Sequence, residues 1–225
     1  MSAGTPMPRQ LILVPTERER RVIVARLVDR LPPDAAVESC GFGLVAAAAR
    51  TAQLLAESRP DRVILAGIAG RLGESLALGS AALFEAVACH GVGAGSGARF
   101  VTAARMGWPQ WPGTPTDPDT AIGDSLPCSV PRGYALVRSP LLLSVAAASA
   151  DAEDVRLRRE SHPAATAEEM EGFGVAVACR LARVPLTIVR GISNDAGDRD
   201  TARWRIDEAL LAAADLVVRI VEGAR

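Results

Sequence analysis

The sequence contains no lysine: all 25 of its basic side chains are arginine. That excludes a Walker A loop, whose glycines must be followed by a lysine. Cysteine is sparse as well. Cys40, Cys89, Cys128 and Cys179 lie far apart with no CxxC pair, so the chain encodes neither a zinc framework nor a secreted disulfide scaffold. Cys179 falls on the apolar side of a helix and reads as a small buried hydrophobe. The two histidines, His90 and His162, read as surface or turn residues and not as catalytic groups. No apolar run is long enough to cross a bilayer, and no leader-like stretch precedes the first one, so the expected location is the cytoplasm, with no membrane partner. Basic and acidic side chains nearly balance, at 25 against 26, and no basic stripe calls for nucleic acid.

What is present points to one α/β domain. At 225 residues and 49% apolar content, the chain can bury a large core as a single unit. Residues 1–9 are expected to be a flexible N-terminus and 10–225 the domain. Leu11-Ile12-Leu13-Val14 and Val63-Ile64-Leu65-Ala66 are continuous apolar runs of the kind a parallel strand covered on both faces requires. Thr16 is placed to cap a helix whose first turn carries Glu17 and Glu19. Leu44 to Ala56 is dominated by Ala and Leu and reads as a helix; Arg203 to Val221 reads as an amphipathic one. Gly67-Ile68-Ala69-Gly70 directly follows a strand, where glycines allow a sharp turn and bring amides close to a ligand. No G-x-G-x-x-G follows the first strand, which argues against a dinucleotide site. Trp108 and Trp111 lie in a Pro- and Gly-rich tract that is either an ordinary loop or an aromatic lid.

The stretch from Thr166 to Asp200 carries the chemistry. A Met-Glu pair, Met170-Glu171, enters a very apolar helix, and a buried strand ends in Gly191-Ile192-Ser193-Asn194. Polar groups at a helix start and a strand end are where α/β proteins assemble sites. A carboxylate in so apolar a setting needs a partner.

Three segments together, Leu65 to Gly70, Glu169 to Ala176 and Arg190 to Asn194, resemble the purine nucleoside phosphorylase and methylthioadenosine/S-adenosylhomocysteine nucleosidase superfamily over nearly the whole chain. The extension Gly197-Asp198-Arg199-Asp200, with Trp204 beyond it, is most similar to the futalosine hydrolase branch. The resemblance implies a central mixed, twisted sheet flanked by helices, no metal or organic cofactor, a small nucleoside substrate and a homo-oligomer. It implies that Met170 packs on the ribose and that Glu171 holds its hydroxyls, where a carboxylate also stabilises positive charge developing at the anomeric carbon. It places Gly70, Phe173, Ile192 and Ser193 against the substrate and Asn194 at the base. Adenine-cleaving relatives carry an Asp there as general acid. An amide cannot donate that proton but hydrogen-bonds N7 and a 6-oxo group together, which fits hypoxanthine. Asp195, Asp198 and Asp200 stay open as acids. In the first turn Glu19 is favoured over Glu17 as the residue that orients and deprotonates water. Arg71, Arg99, Arg132 and Arg190 are the cations available for phosphate or for a carboxylate on the substrate. The implied activity is hydrolysis of the N-glycosidic bond of futalosine in the alternative menaquinone pathway. The alternatives are a phosphorylase or nucleosidase of other specificity, or a noncatalytic nucleoside-binding protein.

Overall fold

The computed structural model describes residues 8–223. Residues 1–7 of the expected N-terminal extension lie outside that range. Arg9 belongs to the fold, since its N–H donates to Asp34 O at 2.7 Å and its side chain pairs with Asp61. The chain runs β1 (Gln10–Val14), α1 (Glu17–Leu27), β2 (Ala35–Ser39), α2 (Leu44–Ser58) and β3 (Arg62–Arg71). It continues through β4 (Ala81–Phe84), β5 (Ala86–His90), the two-residue strands β6 (Gly93–Ala94) and β7 (Val101–Thr102), β8 (Ser125–Pro127) and β9 (Arg138–Ser139). The last third holds β10 (Leu141–Val145), α3 (Ala152–Ser161), β11 (Ala165–Glu169), α4 (Gly172–Ala182), β12 (Leu186–Asp195) and α5 (Ile206–Glu222).

Ten of these strands form one mixed sheet with β3 and β12 at its centre. Its apolar runs are continuous because both faces are covered. Leu13, Leu65 and Ile188 point to the side shared with α4, while Ile12, Ile64 and Val189 point to the side filled by Leu216 and Val217 of α5. Helices α2 and α4 pack so closely that a Cβ on Gly174 would lie 2.3 Å from Leu44 O, which only glycine avoids.

The fold positions the site through the length of β3. Along one edge β3 pairs in parallel with β1 as far as Leu65, then in antiparallel fashion with β11 at Gly70 and Arg71. Among the described residues no strand occupies that edge between Ala66 and Ala69. This is a switch point in the sheet, where α/β folds open a crevice. On the other edge β12 follows β3 throughout, with a register shift between Ile192 and Asn194 that makes Ser193 the extra residue of a bulge. Bulges re-aim side chains beside sites.

Several expectations need correction. Gly67 to Gly70 does not turn: it continues β3 as regular strand, and its glycines serve close approach. Leu76 to Val87 contains β4 and the start of β5. Residues 165–169 form a strand that the polar sequence ATAEE does not announce. His162 opens the turn before β11, as expected, but is buried there, and His90 at the end of β5 is half-buried. Their rings meet edge to face with Nδ1 and Nε2 3.2 Å apart, and burial lowers both, His90 to about 4.

Candidate active site

The crevice at the switch point is a cavity of about 370 Å3, within the range of small-molecule sites. Its floor is a cluster of four charges. Glu19 sits at the third position of α1, where a capping box ties its Oε2 to the Thr16 N–H at 3.0 Å and the Thr16 hydroxyl at 2.6 Å. Its Oε1 accepts the Ile68 N–H at 3.1 Å, on the stretch of β3 that has no neighbouring strand. The capping motif thus aims a buried carboxylate into the gap in the sheet. Glu17 points outward to Arg21 and does not line the cavity.

Glu169 closes the N-terminus of α4. Its carboxylate accepts the Glu171 N–H at 3.0 Å and the Gly172 N–H at 2.8 Å, an anion at the positive end of a helix. Ser144 donates its hydroxyl to Glu169 and accepts the Phe173 N–H at 2.8 Å. Glu171, the residue preceding that helix, accepts the Gly43 N–H at 3.1 Å. Arg190 of β12, wholly buried, donates Nη2 to Glu169 and, at 3.4 Å, to Glu171. Its Nε and Nη1 are buried without a hydrogen-bond partner among the described residues. A Cβ at Gly67 would lie 2.1 Å from Nη1 and 2.7 Å from Glu19 Oε1, so the glycine keeps open the space between arginine and glutamate. Burial pushes the Glu171 carboxyl up to about 7; Arg190 and the Gly43 amide pull against that, while Glu169 and Glu19 add to it. Behind the cluster, burial raises the Cys40 thiol to about 12, which rules it out as a nucleophile at neutral pH.

At the far wall the Ser193 hydroxyl donates to Asn194 Oδ1 at 2.7 Å, and Asn194 Nδ2 donates to Asp195 O at 2.8 Å. Each end of the amide keeps one bonding position uncommitted. The rim carries Arg18, Phe42, Arg199 and Trp204, with the Arg199 guanidinium 5.3 Å from the Trp204 ring centre.

The fold therefore brings Glu19, Gly70, Met170, Glu171, Ser193 and Asn194 into one cavity. Phe173 and Ile192 are corrections, because both lie in the core and neither lines the cavity. Phe173 is two residues beyond Glu171, about 200° around the helix, and Ile192 alternates to the opposite face of β12 from Ser193. Trp108 and Trp111 do not line it either; the tryptophan at the rim is Trp204. Asp195 is bound to Arg71, and Asp200 caps the turn at 201–203. The Asp200 N–H and Arg203 hold Asp198 below its ordinary pKa, so it is no acid near neutrality. Two participants went unassigned in the sequence, Glu169 and Glu168. The position of Arg190 was also legible in principle, since a charge inside a buried apolar run demands a counter-charge.

Residues 14–222 match the profile of the phosphorylase superfamily. Futalosine hydrolase of Streptomyces coelicolor is 34% identical over 198 residues, 85% of this chain and 80% of that one. The 5'-methylthioadenosine/S-adenosylhomocysteine nucleosidase of Chromohalobacter salexigens is 30% identical over 185 residues, 81% of this chain and 77% of that one. Among solved structures, native futalosine hydrolase of Helicobacter pylori superposes with a TM-score of 0.74 at 16% identity, covering 96% of this chain and 98% of that one.

Proposed function

The chain belongs to the phosphorylase superfamily, and from that premise we propose that its cavity hydrolyses the N-glycosidic bond of a 6-oxopurine nucleoside, with futalosine as the substrate. The products are hypoxanthine and dehypoxanthine futalosine, as in the alternative menaquinone pathway. The observation that carries this reading is that Glu19 Oε1 and Arg190 Nη1, which has no hydrogen-bond partner among the described residues, face one another across Gly67, beside Glu171. A water molecule held there accepts from the guanidinium and donates to the carboxylate. Glu171 accepts hydrogen bonds from the ribose hydroxyls, Met170 packs on the sugar, and the negative cluster stabilises positive charge building at the anomeric carbon. The carbon–nitrogen bond breaks with its electron pair passing to the base, which Asn194 steadies at N7. Water oxygen bonds to the anomeric carbon, one of its protons passes to Glu19 and on to solvent, and the departing base takes up a proton from solvent.

Two features favour hydrolysis of a 6-oxopurine over the other activities in the superfamily. Arg190 lies among three carboxylates, a net negative setting that disfavours phosphate, Arg71 is paired with Asp195, and Arg99 and Arg132 do not line the cavity. Asn194 has no proton to give N7, where an adenine-cleaving enzyme uses an acid. A homo-oligomer is part of the proposal. Phe42 at the rim and Val45 beside it are 64% and 83% exposed, an apolar pair that a second subunit would cover.

The test offers purified protein futalosine, inosine and methylthioadenosine in phosphate-free buffer. Hypoxanthine released from futalosine is the expected result. Turnover only with phosphate would establish phosphorolysis, adenine release from methylthioadenosine would move the substrate, and binding without turnover would leave a nucleoside-binding protein.

A further inference from the structure

A second cavity, of about 450 Å3, lies at the opposite end of the sheet and shares no lining residue with the first. Strand β12 begins in it at Leu186 and reaches Asn194 only about 26 Å further on, at the usual rise per residue of a strand. Three segments meet there: β8 with the residues that follow it, the last turn of α4, and the entry to β12. The floor is apolar, since Leu126, Ala176 and Leu186 line the cavity from the core. Burial pushes the Cys128 and Cys179 thiols up to about 12, so neither brings a charge.

Two guanidiniums stand over this floor, and they differ. Arg183 ends α4 in the left-handed conformation, pairs with Asp117 and has Asp119 nearby as well. Arg180, on the last turn of the same helix, enters no ion pair among the described residues, and its Nε is buried with no hydrogen-bond partner among them. Ser129 is engaged through its backbone, donating its N–H to Leu186 O at 2.7 Å and accepting the Thr187 hydroxyl at 2.8 Å. Its own hydroxyl has no partner among the described residues. A guanidinium N–H that meets neither water nor a protein acceptor is costly. A carboxylate supplies two acceptors in the fork geometry that a guanidinium fits. The negative end of α4 also lies here, and Asp119 stands exposed in the lining. One negative charge on Arg180 is therefore accommodated, whereas a phosphate dianion is repelled.

We propose that this cavity binds a small monocarboxylate with an apolar body. The carboxylate sits on Arg180 and the Ser129 hydroxyl, and the body lies on Leu126, Ala176 and Leu186. The site is separate from the first cavity, so its failure would leave the reading of that cavity untouched.

The experiment titrates the full chain with hexanoate, hexanamide and monobutyl phosphate by calorimetry, and maps hexanoate by hydrogen exchange. Hexanoate is expected to saturate one site per chain, with hexanamide and the phosphate ester each at least about tenfold weaker. Exchange should slow in residues 126–129 and 184–186. Arg180→Gln, which keeps much of the side chain but loses the charge and the fork, should weaken hexanoate by at least about tenfold. No saturable binding of hexanoate would overturn the inference, as would protection confined to other segments or unchanged affinity in Arg180→Gln. Equal affinity for hexanamide would leave an apolar groove without recognition of charge, and a preference for the phosphate ester would overturn the ligand class. Both of those comparisons use the wild-type protein and need no variant to fold.

Discussion

Adjacent residues Glu168 and Glu169 leave β11 on opposite faces, and each meets a buried arginine, Arg158 on one side and Arg190 on the other. Around Arg158 the charges balance one to one, and Ser149 takes two of the acceptor positions of Glu168 while accepting from Arg158. Around Arg190 three carboxylates, Glu19, Glu169 and Glu171, surround one guanidinium that still has two nitrogens without partners among the described residues. A satisfied buried pair fixes structure and direction; an unbalanced cluster keeps bonding capacity that a ligand can use. The comparison separates a wall whose charges are balanced from a floor whose charges are not.

Removing the cation of the floor should produce the largest effect. Arg190→Leu leaves three buried carboxylates facing one another, and breaking a buried pair costs about 3–5 kcal/mol. Urea unfolding at pH 8 should register that loss and turnover should vanish; a loss below about 1 kcal/mol would break the distinction drawn between the clusters. Next comes the chemistry without the collapse. Glu19→Gln keeps an oxygen for the capping box but cannot take a proton, so kcat should fall by about 10²–10⁴. A rise in KM with kcat unchanged would show that Glu19 binds and does not activate water.

Much of this was readable in advance, and what escaped did so for identifiable reasons. The apolar runs of β1, β3 and β12 and the Thr16 cap are local signals, and they were met where expected. The continuation of β3 through Gly67 and Gly70 was hidden because glycine after a strand reads as a turn, and only the neighbouring Arg190 and Asn194 explain why a strand would use it. Strand β11 was hidden because ATAEE has no apolar alternation; its glutamates are buried by arginines from elsewhere, Arg158 lying on α3 and Arg190 on β12. Pairings across that distance leave no periodicity. Phe173 and Ile192 were drawn into the site by belonging to its motifs, whereas one turn of helix and one step of strand send them to the core.

The pH dependence tests the floor at smaller amplitude. Burial holds the Glu171 carboxyl near 7, above its ordinary 4.5, so the folded protein retains a proton that the unfolded chain has lost between those values. Stability should therefore fall as pH rises from about 4.5 to 7, by on the order of 2–3 kcal/mol. Glu171→Gln removes that slope and should be the more stable protein at pH 8, though it loses about 10²–10³ in kcat/KM. In the wild type, kcat/KM should climb with pH to a plateau above about 7, because the ionised carboxylate is the form that accepts the ribose hydroxyls. A flat profile from pH 5 to 8 would remove Glu171 from the rate equation.

The smallest expected effect belongs to the wall. In Arg158→Met with Glu168→Gln, both charges go together, while the glutamine oxygen still accepts the Ser149 N–H that would otherwise be stranded. Exchanging a balanced buried pair for neutral groups of similar volume is often close to neutral, because the desolvation of both ions is recovered along with the loss of their attraction. The double variant should unfold within about 1 kcal/mol of the wild type, whereas Arg158→Met alone, which leaves Glu168 buried and uncompensated, should cost about 3–5 kcal/mol. A double variant as unstable as the single would mean that the wall is itself a stability element. Its charge would then serve the fold first.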